Sequence, residues 1–118
     1  MGKKVLLVDD AVFMRLKLKA LLTKMGHEVI GEAGNGAEAI ELYQRLKPEA
    51  VLMDITMPDI NGLEALKAIK TIDQQAVVIM VSAMGSREFI LEAVNAGARD
   101  FIVKPFEVER ICKVMDSI

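Results

Sequence analysis

Soft metal ligands and activated nucleophiles are nearly missing from this chain of 118 residues, which holds one cysteine, one histidine and no tryptophan. Cys112 has no second thiol with which to form a bridge or a thiolate metal site. His27 alone cannot supply a two-histidine zinc site. A Ser-His-Asp arrangement would have to use His27, and no serine stands in a G-x-S-x-G turn. Long apolar runs are also missing. The first, Val5 to Val8, is cut off by two aspartates, too early for a signal peptide or a membrane span. Nor does one sign of charge dominate: 15 Lys and Arg face 17 Asp and Glu, a net charge of −2. That balance argues against a protein held mainly by a nucleic-acid backbone or by anionic lipid. The expectation is a cytoplasmic protein with neither nucleic-acid nor membrane partners.

What is present describes an ordinary globular domain, 53% hydrophobic and 27% charged. The length fits one domain over residues 1–118, able to bury a core without disulfide staples. Short β-branched or aliphatic runs occur at Val5–Val8, Val29–Ile30, Ala50–Met53, Val77–Val81 and Phe101–Val103. Segments of helical spacing lie between them. The first carries Met14, Leu18, Leu21 and Met25 and stops at Gly26; the second runs from about Ala37 to Leu46, ahead of Pro48. Asn61-Gly62 opens a third, with Leu66, Ile69 and Ile72 on one face. Ser86 caps a fourth, with Ile90, Ala93 and Val94 inward and Gly97 as its end. A fifth, from about Glu107, groups Val108, Ile111, Cys112 and Met115. Five repeats of strand then helix predict an α/β domain with a parallel sheet covered on both faces. Five of the eight methionines fall inside these elements, where they read as core filler.

In such a sheet, ligands bind beyond the carboxyl ends of the strands. Asp9-Asp10 follow the first apolar run, Asp54 the third, Ser82 the fourth and Lys104-Pro105 the fifth. Each has an ordinary explanation by itself. Asp9-Asp10 could cap a helix, Asp54 could end a strand in a turn, Ser82 could cap the fourth helix, and Lys104 could be a surface lysine. Their joint arrival after parallel strands points instead to one crevice. Three clustered carboxylates call for a hard divalent cation, and few ligands with room for water favour Mg²⁺ over a caged Ca²⁺. Carboxylates, a hydroxyl, an ammonium and a divalent cation together support phosphoryl transfer to a carboxylate, with the remaining acids holding the metal.

These same residues resemble a known family. Val-Asp-Asp at 8–10, Met-Asp-Ile-Thr-Met-Pro at 53–58, Asn61-Gly62, Ser82-Ala83 and Lys104-Pro105-Phe106 are similar to the receiver domain of two-component response regulators, in order and over essentially the whole chain. The resemblance implies a flavodoxin-like, doubly wound, five-stranded parallel sheet of order 2-1-3-4-5 flanked by five helices, an order the chemotaxis receiver is known for. It implies that Asp54 accepts the phosphoryl group and that Asp10 binds Mg²⁺ directly, with Asp9 helping through water. Asp54 and the backbone carbonyl of Thr56 complete the ligands. Lys104 would pair with the phosphoryl oxygens and Ser82 would hydrogen-bond one of them. The family also carries a cis bond before the proline, here Lys104-Pro105. Phe101 matches the switch aromatic, commonly a tyrosine; without a hydroxyl, its inward packing would rest on apolar burial alone. Periodicity by itself leaves Phe101 equally readable as a plain strand residue.

The resemblance further implies a signalling phosphoacceptor rather than an enzyme acting on other molecules. Its output surface would be the fourth helix, fifth strand and fifth helix; a helix can turn only part of the consecutive apolar run Phe89, Ile90 and Leu91 inward, and the remainder reads as a partner-facing patch or as scattered exposed surface. The stretches at 9–15 and 100–106 look closest to stand-alone chemotaxis receivers of the CheY type. The phosphodonor would then be a CheA-type histidine kinase, the target the flagellar switch protein FliM, and the protein a monomer. A phosphorelay intermediate, or a receiver cut from a longer regulator, fits the same motifs. Two other classes compete. A haloacid dehalogenase-type phosphatase wants an acid two residues past its nucleophile, where this chain has Thr56. A flavin binder wants a hydroxyl-rich loop where this chain has Asp9-Asp10. Thr56 and Met84, each two residues beyond a site residue, are the positions that would modulate loss of the phosphoryl group. The basic residues Arg15, Lys17, Lys19 and Lys24 read as a solvated face of the first helix.

Overall fold

Hydrophobic alternation within the strands sorts side chains to two faces, and the helices cover both in the computed structural model, which describes residues 2–118. In chain order the elements are β1 (Lys4–Val8), α1 (Val12–Lys24), β2 (Glu28–Ala33), α2 (Gly36–Leu46), β3 (Ala50–Met53), α3 (Gly62–Ile72), β4 (Val78–Ser82), α4 (Arg87–Asn95), β5 (Asp100–Val103) and α5 (Val108–Asp116). The strands form one parallel sheet in the order β2-β1-β3-β4-β5. Leu6, Val8, Val51, Met53, Val78 and Met80 point into one core with Ala39 of α2, Leu66 of α3 and Ala93 of α4. Val5, Leu7, Leu52, Ile79, Val81 and Ile102 point into the other, with Leu18 and Leu22 of α1 and Ile111 and Val114 of α5. The expected flavodoxin-like topology is therefore the observed one. The strand order reverses between β1 and β3, and the crevice opens there.

Local stops and starts follow the residues that enforce them. Gly26 and Gly97 take φ of 92° and 100°, left-handed values that a β-carbon disfavours, and both end helices. Asn61 accepts from the Glu64 N–H at 2.9 Å and Ser86 from the Phe89 N–H at 3.4 Å, as expected for their helix starts. Asn35, not singled out from the sequence, caps α2 through the Glu38 N–H at 2.8 Å.

Several expectations need correction. β2 is six residues long rather than the pair Val29–Ile30, because pairing with β1 carries the polar Glu28 and Glu32 into the ladder. The register slips between Val5 and Leu6, so that Leu6 faces Gly31, whose missing side chain leaves room for Leu46. On α1 the buried residues are Leu18 and Leu22, while Met14, Leu21 and Met25 are only half-buried. Ile72, Val94 and Val108 were expected inward and are about half exposed (46%, 54% and 53%). Ile72 is the last residue of α3 and Val108 the first of α5, where each helix leaves the sheet; Val94 sits beside the inward Ala93.

Candidate functional site

Parallel pairing brings the residues after β1, β3 and β5 and the last residue of β4 to one edge of the sheet. The Asp54 N–H donates to the Val8 carbonyl at 2.9 Å, and the Lys104 N–H donates to the Ser82 carbonyl at 2.9 Å. These two bonds stitch β1 to β3 and β4 to β5 at the point where the ladders end. Asp9, Asp10 and Asp54 each place one carboxylate oxygen within 4.8 Å of the others. Lys104 Nζ lies 2.6 Å from Asp9 Oδ2 and 3.4 Å from Asp54 Oδ2. Ser82 is the last residue of β4 and fully buried. The notch expected from the sequence therefore holds Asp9, Asp10, Asp54 and Lys104 together, with Ser82 on the strand between β3 and β5.

The ordinary explanations fail for Asp9-Asp10, Ser82 and Lys104 and cover only half of Asp54. No side chain caps α1; its N-cap is Ala11, and Asp9 Oδ1 accepts instead from the Ala11 N–H at 2.9 Å. Ser82 does not cap α4, a role filled by Ser86; its Oγ accepts from the Met84 N–H at 3.1 Å, which leaves its proton for an acceptor. Lys104 is no surface lysine, its side chain being 15% exposed. Asp54 does make a local turn-like bond, Oδ1 accepting from the Ile55 N–H at 2.7 Å, but its other oxygen faces Lys104.

Charge and burial decide what the notch can hold. Asp9 and Asp54 are buried and Asp10 is exposed, so one lysine balances two buried carboxylates while the third acid meets solvent. All three donors are hard oxygens, and the open side at Asp10 leaves room for water. That donor set fits Mg²⁺, which keeps several waters and takes few protein carboxylates. Thr56 follows in the exposed part of the β3–α3 loop. Behind Asp54 the packing is tight: a β-carbon on Gly62 would fall 1.9 Å from the Asp54 carbonyl oxygen, so α3 can begin there only with glycine. Phe101 is buried against the α4 side of the sheet, in one cluster with Met80, Ala93, Phe89 and Ile90. The Lys104-Pro105 bond is cis.

Sequence reasoning missed one participant. The Arg15 guanidinium donates to the Asp9 backbone carbonyl and, through Nε, to Glu32 Oε1 at 3.2 Å. A basic residue on an amphipathic helix carries no sign of such a contact, and Arg15 was counted among the solvated charges.

Comparison with known proteins settles the family. The model of the response regulator receiver domain matches residues 5–116. The chain belongs to the response regulator receiver family. It is 54% identical to the chemotaxis protein CheY of Thermotoga maritima over all of this chain and 98% of that one. It is 51% identical to CheY of Bacillus subtilis over 99% of this chain and 98% of that one. Among solved structures, a CheX–CheY–BeF₃–Mg²⁺ complex from Borrelia burgdorferi contains a chain that superposes with a TM-score of 0.94 at 35% identity, covering 97% of this receiver and 87% of that chain. This is a CheY-like receiver domain of a two-component system. The phosphatase and flavin-binder alternatives are thereby set aside.

Proposed function

We propose that this receiver takes a phosphoryl group from the phosphohistidine of a CheA-type histidine kinase onto Asp54 and signals in chemotaxis by binding a protein, FliM being the expected target. The observation that carries the reading is the shared ammonium: Lys104 reaches both Asp9 and Asp54 at the edge of the sheet where Asp10 also arrives. Asp54 Oδ attacks phosphorus, an O–P bond forms, the P–N bond breaks, and the electron pair returns to the imidazole, which is protonated from solvent. Lys104 is placed to follow the transferred oxygens, and Ser82 has a hydroxyl proton to give one of them. Asp9, Asp10, Asp54 and the Thr56 carbonyl would hold Mg²⁺. When bound, Mg²⁺ offsets the charge that gathers on the phosphoryl oxygens.

A second, hydrolytic step ends the signal. Water adds to phosphorus, the Asp54 O–P bond breaks, and phosphate leaves. Thr56 and Met84 are both exposed and each lies two residues beyond a site residue, and in this reading they modulate the hydrolytic step. Output falls to α4, β5 and α5, which expose Leu91, Val94, Val103 and Val108. Phe89 and Ile90 are partly buried against the core, so Leu91 alone of that trio contributes to the patch. The receiver acts as a cytoplasmic monomer in this reading. No helix among the described residues is long and apolar enough to cross a membrane.

The test is incubation with acetyl phosphate and Mg²⁺, followed by intact-mass measurement. One phosphoryl mass gain in the parent and none in Asp54→Asn is expected. Equal labelling of both would move the acceptor elsewhere.

A further inference from the structure

Asp9 and Asp10 are consecutive, so a single peptide unit joins them, and its orientation governs the directions in which their two side chains leave the backbone. The N–H of Asp9 is held by the Ala33 carbonyl on β2 at 3.0 Å. Its carbonyl, which belongs to the Asp9–Asp10 peptide unit, accepts from the Arg15 guanidinium. Glu32, which faces Leu7 across the β1–β2 ladder, holds Arg15 Nε at 3.2 Å. Lys19 lies 3.6 Å from the other Glu32 oxygen, a second, exposed ion pair to the same anchor. The Arg15 side chain is mostly buried, and a β-carbon on Gly34 would come within 3.5 Å of its guanidinium. The guanidinium thus clamps the Asp9–Asp10 peptide plane to the edge strand. Asp10 is exposed, and the clamp acts on the very unit from which it projects.

We infer that Arg15 is a positioning residue for the metal site: by fixing the Asp9–Asp10 peptide it presets the two carboxylates for a divalent cation. This rests on the Mg²⁺ reading given above. Two physical effects of Arg15 on Mg²⁺ have opposite signs. As a nearby positive charge it repels the cation, so its removal would tighten binding. As a clamp it preorganises the ligands, so its removal loosens binding. Lysine separates the two, because it keeps the charge but presents one ammonium where the planar fork holds two acceptors at once.

The experiment is calorimetric Mg²⁺ titration of the full chain in four forms: parent, Arg15→Ala, Arg15→Lys and Asp10→Asn. Thermal unfolding without Mg²⁺ is recorded alongside, so that all titrations are run with every form folded. Loss of an outer partner that orients metal ligands lowers affinity by roughly 10-fold or more, the change expected for Arg15→Ala. Arg15→Lys should weaken binding by a smaller factor at unchanged charge. Unchanged or tighter binding in Arg15→Ala, or parent-like affinity in Arg15→Lys, overturns the inference while leaving the metal site in place. A parent that binds Mg²⁺ no better than Asp10→Asn overturns the metal reading itself, and the role of Arg15 with it.

Discussion

Lys104 has to serve two carboxylates whose burial would otherwise be costly. Asp9 and Asp54 are buried, and removing their shared cation leaves two like charges facing each other in a notch that only Asp10 opens to water. Lys104→Met should therefore lower the stability of the metal-free chain by about 2 kcal/mol, at the low side for breaking a buried pair because Lys104 keeps some solvent contact. Added Mg²⁺ should restore more stability to the variant than it gives the parent; urea unfolding with and without Mg²⁺ measures both. Equal Mg²⁺ gains in the two chains would show that Lys104 and the cation do not share the same acids. At the entrance, Met84 is 39% exposed and follows Ser82 by two residues. Met84→Asn should alter the decay rate of the phosphorylated chain, because a polar side chain can orient the attacking water where the thioether cannot; an unchanged decay, read by intact mass over time, retires that role. The acids and the lysine were legible because a charged residue ending an apolar strand is out of place unless something uses it. Arg15 was not, since a helix surface is where an arginine is ordinarily found.

Helices are where the sequence pattern held best and also where it slipped. Periodicity finds an apolar face but not its edges, so Ile72, Val94 and Val108 turned out half exposed at helix ends or beside the buried row. β2 was under-read for the opposite reason, its glutamates being strand residues by virtue of the ladder rather than of their own preference. Between α2 and α3 lies a contact no pattern announces. The Tyr43 hydroxyl donates to Asp73 Oδ2 at 2.9 Å, and Asp73 Oδ1 accepts from the Gln75 N–H at 2.9 Å. Burial first, then the Asp73 carboxylate, push the Tyr43 phenol up to about 12 from its usual 10.0. The Gln75 N–H, followed by the Tyr43 hydroxyl, holds the Asp73 carboxyl below its ordinary range. The signs follow from which form the fold prefers. Tyr43 is favoured neutral, so its contribution is complete below pH 10.0 and is lost as pH climbs through about 12. Asp73 is favoured ionised, so its contribution is present above the ordinary carboxylate pKa and is lost as pH falls through the depressed one. With one tyrosine and no tryptophan, the ultraviolet phenolate band reports this group alone. Its midpoint should lie near 12 in the parent and fall only part of the way toward 10.0 in Asp73→Ala, because burial, the larger cause, remains. A parent midpoint at the ordinary value would mean the bridge between α2 and the end of α3 is open in solution.

At the scale of the whole molecule, the notch and the exposed apolar face are close neighbours, in a protein whose longest axis is 31 Å. The β4–β5 register puts Ser82 opposite Val103 and Met80 opposite Phe101. In the proposed function, a phosphoryl group that draws on Ser82 of β4 would therefore act directly beside β5, which carries both the exposed Val103 and the buried aromatic ring. The parallel α/β class was legible because five strand–helix repeats leave few architectures open, whereas the strand order followed only from the resemblance to the receiver family. Coupling between two surfaces was not, because it depends on the difference between two states, and a sequence pattern reports only which residues are apolar. A ligand shifts such an equilibrium only by its unequal affinity for the two states. Phe101 joins β5 to Phe89, Ile90 and Ala93 of α4, so its ring is where a change at Ser82 would be passed to the docking face. Phe101→Leu should leave the binding of beryllofluoride with Mg²⁺, a phosphoryl mimic, close to the parent value. The same substitution should shrink the gain in affinity that the mimic gives a FliM peptide, from the roughly 5- to 150-fold usual for such coupling toward none. Peptide titrations with and without the mimic, on parent and variant, measure that factor. If Phe101→Leu keeps the full gain, the aromatic ring is ordinary core, and the β4–α4 loop, where Ser82 holds the Met84 N–H, is the next route to test.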